Sequence, residues 1–175
     1  MKNDQLCIAL RSPDPTLKIR PVRSPDAEVL RAQCWPDRPQ AIIDQLVNRA
    51  QQIAYQGRGL GVVTMGDSPG DIRGFGQLTM WPRGGEISDL VVSEALRGRG
   101  LGTAIIQYLV RAAREMHASN IEIGVAYSNP GALALYRRLG FKDDHDVMLN
   151  LGQGLEPVLY LQLDLPPYVP SIRRN

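Results

Sequence analysis

Cysteine is scarce: only Cys7 and Cys34 occur in 175 residues. They stand without metal-ligand spacing and without a histidine beside them, which excludes a disulfide-dense scaffold and a zinc site built on paired cysteines. Two reduced thiols in a cytosolic protein are expected instead. Long apolar runs are also missing. Near the start only "LCIAL" is continuously apolar, too short for a signal-peptide core or a membrane span. The expectation is therefore a cytoplasmic protein with no membrane partner. Charge of one sign is lacking too, because the formal net charge is +2. That gives no electrostatic case for a nucleic-acid partner.

What is present suits a single globular domain, with 43% hydrophobic and 22% charged residues and a length able to bury a core without disulfides. Residues 1–16, with "SPDPT", read as an irregular lead-in, residues 17–165 as the domain, and residues 166–175 as a proline-rich basic tail. "LKIRPV" alternates apolar and polar residues as a half-buried strand does. Ser24 then reads as the cap of a helix with Pro25 at its first position, ending before "CWPDRP". A second helix spans about Gln40 to Tyr55. "LGVVTMG" and "IRGFGQLTMW" form a hairpin about "DSPGD", and "EISDLVV" (86–92) is the next strand. Leu101, Ile105, Ile106, Leu109, Ala113 and Met116 mark one face of a helix from Gly100 to about Ala118. "NIEIGVAY" (120–127) reads as a strand parallel to 86–92, since a helix joins them. Asn129 and Pro130 open a short helix that Gly140 ends, and strands near 146–150 and 158–164 close the domain.

The chemistry concentrates in "DLVVSEALRGRGLGTAII" (89–106). Glycines 98, 100 and 102 allow close backbone approach, and the following helix offers unpaired N–H groups and a positive dipole end. Arg97 and Arg99 add forked donors suited to phosphate oxygens. A phosphate, foremost a pyrophosphate, is the indicated ligand; the plain alternative is a tight turn with solvated arginines. A Walker loop is excluded because no Gly-Lys-Ser/Thr follows. A dinucleotide fingerprint needs G-x-G-x-x-G directly after the strand and an acid ending the next one. Here the spacing is G-x-G-x-G, five residues separate Val92 from Gly98, and Glu122 lies inside its strand.

Arg97, Gly100 and Gly102 within "LVVSEALRGRGLG" resemble the coenzyme A-binding segment of the GNAT superfamily of N-acetyltransferases. "NPGALALYRRLGF" resembles that family's second signature through Asn129, Ala132, Tyr136, Gly140 and Phe141. The resemblance covers about residues 17–164. It implies an α/β (α+β) fold: a mixed sheet of about six to seven strands, about four flanking helices, and a splayed parallel pair.

It also implies acetyl-CoA as co-substrate, no metal, and an amine-bearing small molecule or peptide as acceptor. The amine attacks directly in a ternary complex. Leu90, Val91 and Val92 would meet the pantetheine arm, with an amide of Leu90 or Val91 as oxyanion donor. The segment Arg97, Gly98, Arg99, Gly100, Leu101, Gly102 and Thr103 would wrap the pyrophosphate, while Asn129, Ala132 and Tyr136 complete the cofactor side. Tyr136 is the implied acid, although a tyrosine beside Leu135 and Leu139 can simply be packing. Glu86 is the candidate base, set against a solvated strand-edge charge and a water chain. Asp89 serves only if a bulge turns it inward, and His117 and His145 read as surface or loop residues.

The acceptor-facing candidates are Trp35, Trp81, Asp37, Asp143, Asp144 and Asp146, each equally readable as packing or solvated charge. A homodimer is compatible with the family. The other readings are a non-catalytic acyl-CoA sensor, which has no need of Tyr136, and a dinucleotide-binding regulatory domain.

Overall fold

A computed structural model describes residues 17–68, 70–152 and 154–168. The lead-in at 1–16 and residues 169–175 of the expected tail lie outside the described residues. Seven strands form one sheet: β1 (Lys18–Pro21), β2 (Gly59–Met65), β3 (Ile72–Trp81), β4 (Gly84–Val92), β5 (Asn120–Ala126), β6 (Lys142–Asn150) and β7 (Leu155–Asp164). Four helices flank it: α1 (Asp26–Cys34), α2 (Gln40–Tyr55), α3 (Leu101–Glu115) and α4 (Pro130–Arg138). The spatial order is β1-β2-β3-β4-β5-β7-β6. Every neighbouring pair is antiparallel except β4 and β5.

Alternation along the strands divides the core in two. Val62 and Val63 are adjacent and fully buried, yet they belong to different clusters, because successive side chains point to opposite faces of a strand. One cluster joins the sheet to α3 and α4 through Ile105, Leu109 and Leu139. The other joins it to α1 and α2 through Leu30, Ile43, Val47 and Phe75.

The parallel pair sets the site. Its ladder runs only from Gly84↔Asn120 to Ile87↔Ile123. Beyond that point β5 continues beside β7, while β4 stays with β3 and turns away. The turn has a local cause. Gly74↔Val92 and Phe75↔Val91 resume after Gln77↔Ser88, so Asp89 and Leu90 together oppose the single residue Gly76. This is a bulge, and Asp89 makes it by adopting a left-handed φ of 53°, a region that aspartate tolerates better than most residues. A side chain at Gly76 would meet Ile105 Cγ2 at 2.5 Å. The glycine therefore lets α3 lie close over the bulge.

Two local expectations are corrected. Pro25, not Ser24, is the N-cap of α1, and no side chain caps it. The Ser24 hydroxyl instead meets Gln51 Oε1 at 2.8 Å, and Asp26 accepts from the Arg23 N–H at 2.7 Å. "KDDHD" is not a loop: it opens β6, an edge strand whose charged side chains face out, which is how edges resist unwanted pairing.

Candidate active site

Helix α3 begins at Gly100, whose φ of 83° is left-handed, and Gly98 has a φ of 75°. A Cβ at either position would meet nothing within 4 Å. Their demand is thus conformational, and the space above them is open. Ala104 N–H is bonded to Gly100 O at 3.0 Å, so the N–H groups of Leu101, Gly102 and Thr103 precede the first intrahelical bond. They face a cleft of about 590 Å³ lying between β4, α3 and α4. Its walls include Leu90, Val91 and Val92 from the bulged strand, Arg97, Gly98 and Gly100 from the turn, Leu101, Gly102 and Thr103 from α3, and Asn129, Ala132 and Tyr136 from α4. Arg99 and Glu86 are not part of this lining.

Helix α4 is built to aim Tyr136. Asn129 caps it, with Oδ1 accepting from Ala132 N–H at 3.2 Å, and Pro130 follows in the first turn. At the other end Gly140 has a φ of 99°. Gly140 N–H meets Arg137 O at 3.0 Å and Phe141 N–H meets Tyr136 O at 3.1 Å. This is the Schellman pattern, which brings the residue beyond the glycine against the last turn. The Phe141 ring accordingly lies 6.3 Å from the Tyr136 ring, tilted by 53°. Tyr136 is 6% exposed, and burial pushes its phenol up to about 12. It keeps its proton throughout the neutral range.

Glu86 lies through the sheet from that cleft. It alternates with Ile87, whose side chain is in the α3 core, so Glu86 faces the α1–α2 side. There it stands in register with Thr79 on β3 and Glu122 on β5. The Tyr160 hydroxyl donates to Glu86 Oε1 at 3.3 Å. Burial raises the Glu86 carboxyl above the usual range; the Tyr160 bond opposes this, while Glu122 and Asp89 reinforce it. The Tyr160 phenol is raised as well, first by burial and then by Glu86. Its ring stacks on His145 at 5.2 Å and 7°, and His145 Nδ1 is 2.7 Å from Asp144 Oδ2.

Other sequence candidates fall elsewhere. Trp35 packs edge-on against Phe75 at 6.0 Å, and Trp81 lies over Gly84 at the far end of β3. His117 meets Tyr168 at 5.8 Å, and Asp37 is exposed. Asp143 is forked to Arg137, and Asp146 accepts from Tyr127 at 2.7 Å. Cys34 is buried, and burial pushes its thiol up to about 11, which leaves it inert as a nucleophile. Among the described residues no group of three or more His, Cys, Asp or Glu is placed to hold a metal. None of the described helices is long and apolar enough to cross a membrane.

The cleft holds four residues that sequence reasoning passed over as ligands: Leu96, Gly131, Leu135 and Arg138. Helical phase could have found three of them, since Gly131, Leu135 and Arg138 stand at i, i+4 and i+7. No local signal points to Tyr160, which reaches Glu86 only through the pairing of β7 with β5.

A bulged strand splaying from a parallel neighbour, with an amide-lined turn at its end, is an arrangement suited to an extended ligand that carries an anionic group. Residues 25–141 match the sequence model of the Acetyltransferase (GNAT) family, and the chain belongs to that family. An N-alpha-acetyltransferase MAK3 of Arabidopsis thaliana is 33% identical over 120 residues, covering 67% of this chain and 57% of that protein. The chain thus spans little more than half the length of that relative. An L-methionine sulfoximine/L-methionine sulfone acetyltransferase of Pseudomonas paraeruginosa is 26% identical over 141 residues, 76% of this chain and 80% of that protein. Among solved structures, an acetyltransferase of Salmonella typhimurium described with its cofactor acetyl-CoA superposes with a TM-score of 0.66 at 19% identity, covering 91% and 99% of the two chains. That likeness concerns the fold.

Proposed function

We propose that the protein is an N-acetyltransferase that moves the acetyl group of acetyl-CoA to a primary amine in a ternary complex. The observation that supports this most is the juxtaposition of the amide turn at Leu101–Thr103 with the bulged segment Leu90–Val92, beyond the end of the β4–β5 ladder, and the buried phenol of Tyr136 on one cleft. The residues fit the co-substrate. The turn supplies donors for a pyrophosphate, and the open edge of β4 from Leu90 to Val92 supplies backbone groups for the pantetheine amides. An amide of Leu90 or Val91 stabilises the oxyanion.

In the reaction the amine nitrogen bonds to the acetyl carbon, the carbon–sulfur bond breaks, and sulfur leaves with the electron pair. Glu86 takes the amine's proton, directly or through water; burial raises its pKa and so makes its carboxylate a stronger base. Tyr136 donates to the departing sulfur. A free thiol ionises near 8.5, well below this phenol, so the phenol assists first as a hydrogen-bond donor. Nothing in the scheme needs an enzyme nucleophile, which agrees with the inert Cys34. The acid-lined side of the sheet, with Glu86 and Glu122, favours a cationic amine. The Arabidopsis relative is named for acetylating α-amines and the Pseudomonas relative for small amino acid analogues; either kind of amine is compatible with this site.

Calorimetric titration with acetyl-CoA and, separately, NADH tests the reading on the wild type and on Gly100→Leu. Binding of acetyl-CoA alone, lost in the variant, supports it. Binding of NADH, or of neither ligand, would overturn it. Release of free thiol across an amine panel then identifies the acceptor.

A further inference from the structure

Helix α4 carries two adjacent arginines with different surroundings. Arg137 is forked to Asp143, Nε to Oδ1 at 2.9 Å and Nη2 to Oδ2 at 2.5 Å, and is not part of the cleft. Arg138 lines the cleft, and its side chain has no hydrogen bond or ion pair among the described residues. An unpaired guanidinium on a ligand cleft is a recognition element awaiting an anion.

Its place along the helix says which anion. Gly131, Leu135 and Arg138 share one stripe, and the rise of about 1.5 Å per residue puts Arg138 about 10 Å beyond Gly131. Leu135 stands across from the first turn of α3, because a Cβ on Gly102 would lie 3.8 Å from Leu135 Cδ2. Arg138 is one residue step of the stripe past the amide turn, toward the rim. Two residues along a helix is a rotation of about 200°, so Arg138 is turned away from the buried Tyr136 and is exposed. Coenzyme A carries three phosphate groups. The pyrophosphate claims the N–H groups of Leu101, Gly102 and Thr103, which cannot also serve the phosphate on the ribose.

We propose that Arg138 binds the 3′-phosphate of the coenzyme A ADP moiety, and that it is the residue by which this site distinguishes coenzyme A from 3′-dephospho-coenzyme A. The inference rests on the acetyl-CoA reading above. Because the position is exposed, substitution does not threaten the core, and the contribution is screened by salt.

The experiment is titration of the full chain with coenzyme A and with 3′-dephospho-coenzyme A at low ionic strength, for the wild type, Arg138→Gln and Arg137→Gln. The wild type is expected to prefer coenzyme A by about two- to fivefold, the upper part of the range for an exposed ion pair. Arg138→Gln is expected to lower affinity for coenzyme A alone, so that the two ligands bind alike. Arg137→Gln keeps the wild-type ratio, and raising the salt shrinks it. Equal binding of both ligands by the wild type, or a preference that survives in Arg138→Gln, overturns the inference while leaving the acetyl-CoA reading intact. Failure of both ligands to bind overturns that reading and this one together.

Discussion

In the proposed reaction two phenols have opposite duties. Tyr136 has burial as the cause of its raised pKa, so its proton stays in place up to about 12. Tyr136→Phe removes the donor while keeping the ring against Phe141. Turnover is expected to fall about 10²- to 10³-fold, the usual weight of a general acid, with acetyl-CoA affinity nearly unchanged by calorimetry. Equal losses in both would make the residue a packing element only. Tyr160 acts through Glu86. Its hydrogen bond favours the carboxylate and thus holds the Glu86 pKa below where burial, Glu122 and Asp89 alone would set it. Because Glu86 must be ionised to accept a proton, kcat/KM is expected to rise with pH through that raised pKa. Tyr160→Phe moves this rise to higher pH, and Glu86→Gln abolishes it; an unmoved profile in both variants would assign the proton to water alone. Most of the cleft lining was legible in the sequence, because glycines and an arginine on a strand–helix turn stand out locally. Tyr160 and Arg138 were not, since one depends on strand order and the other on helical phase around residues already given a different role.

At the level of elements, three short devices fix the local geometry, two of them beside the cleft. The first is the Schellman closure of α4, in which Gly140 at a φ of 99° lets Phe141 fold back onto Tyr136. A Cβ in that region costs about 1–2 kcal/mol, so Gly140→Ala is expected to lower unfolding free energy by that amount in denaturant titrations. It should also reduce turnover more than it reduces acetyl-CoA binding. The second is the bulge at Asp89–Leu90, with Gly76 opposite it. The third clamps β1 to α1: Arg20 reaches Asp26 through Nη1 to Oδ2 at 2.6 Å and Nη2 to Oδ1 at 2.7 Å. Burial would raise the Asp26 carboxyl, but the bonds from Arg20 and the Arg23 N–H outweigh it and hold the pKa below the ordinary value. A depressed folded pKa gives stability that is present above the unfolded value near 3.9 and lost as pH falls through the folded one. Asp26→Asn should therefore cost stability at neutral pH, about 1–3 kcal/mol for a partner left unsatisfied, and flatten the acid limb of stability against pH. The strand–helix order was readable because periodicity and turn residues are local. The closing strands were not read fully, since "KDDHD" has a loop's composition and becomes a strand only by pairing with β7.

For the molecule as a whole, the described sheet is a partition whose parallel ladder ends at Ile87 and Ile123. The α3–α4 side carries the amide turn and Tyr136, and the α1–α2 side carries Glu86, Glu122 and Tyr160. The two meet at the splay, where β4 leaves β5 after Ile87. In the proposed reaction a thioester delivered from one side and an amine from the other would meet there without either having to leave for its partner to enter, as a ternary complex requires. Since the cofactor cleft is shared by β4, α3 and α4, occupancy ties together elements that otherwise communicate only through the core. A ligand that binds the folded chain alone stabilises it by about 2.7 kcal/mol at a hundredfold excess over Kd. Acetyl-CoA at that excess is thus expected to raise the Tm of the wild type by several degrees, which corresponds to about 2–4 °C per kcal/mol for a domain of this size. Gly100→Leu should lose the increment, because leucine is strained at the left-handed φ at the head of α3 and its side chain would project into the open space above the turn. A variant that keeps the full ligand-induced increment would show that the turn at Gly100 does not carry the cofactor, and the assignment of the two sides of the sheet would have to be reversed or abandoned.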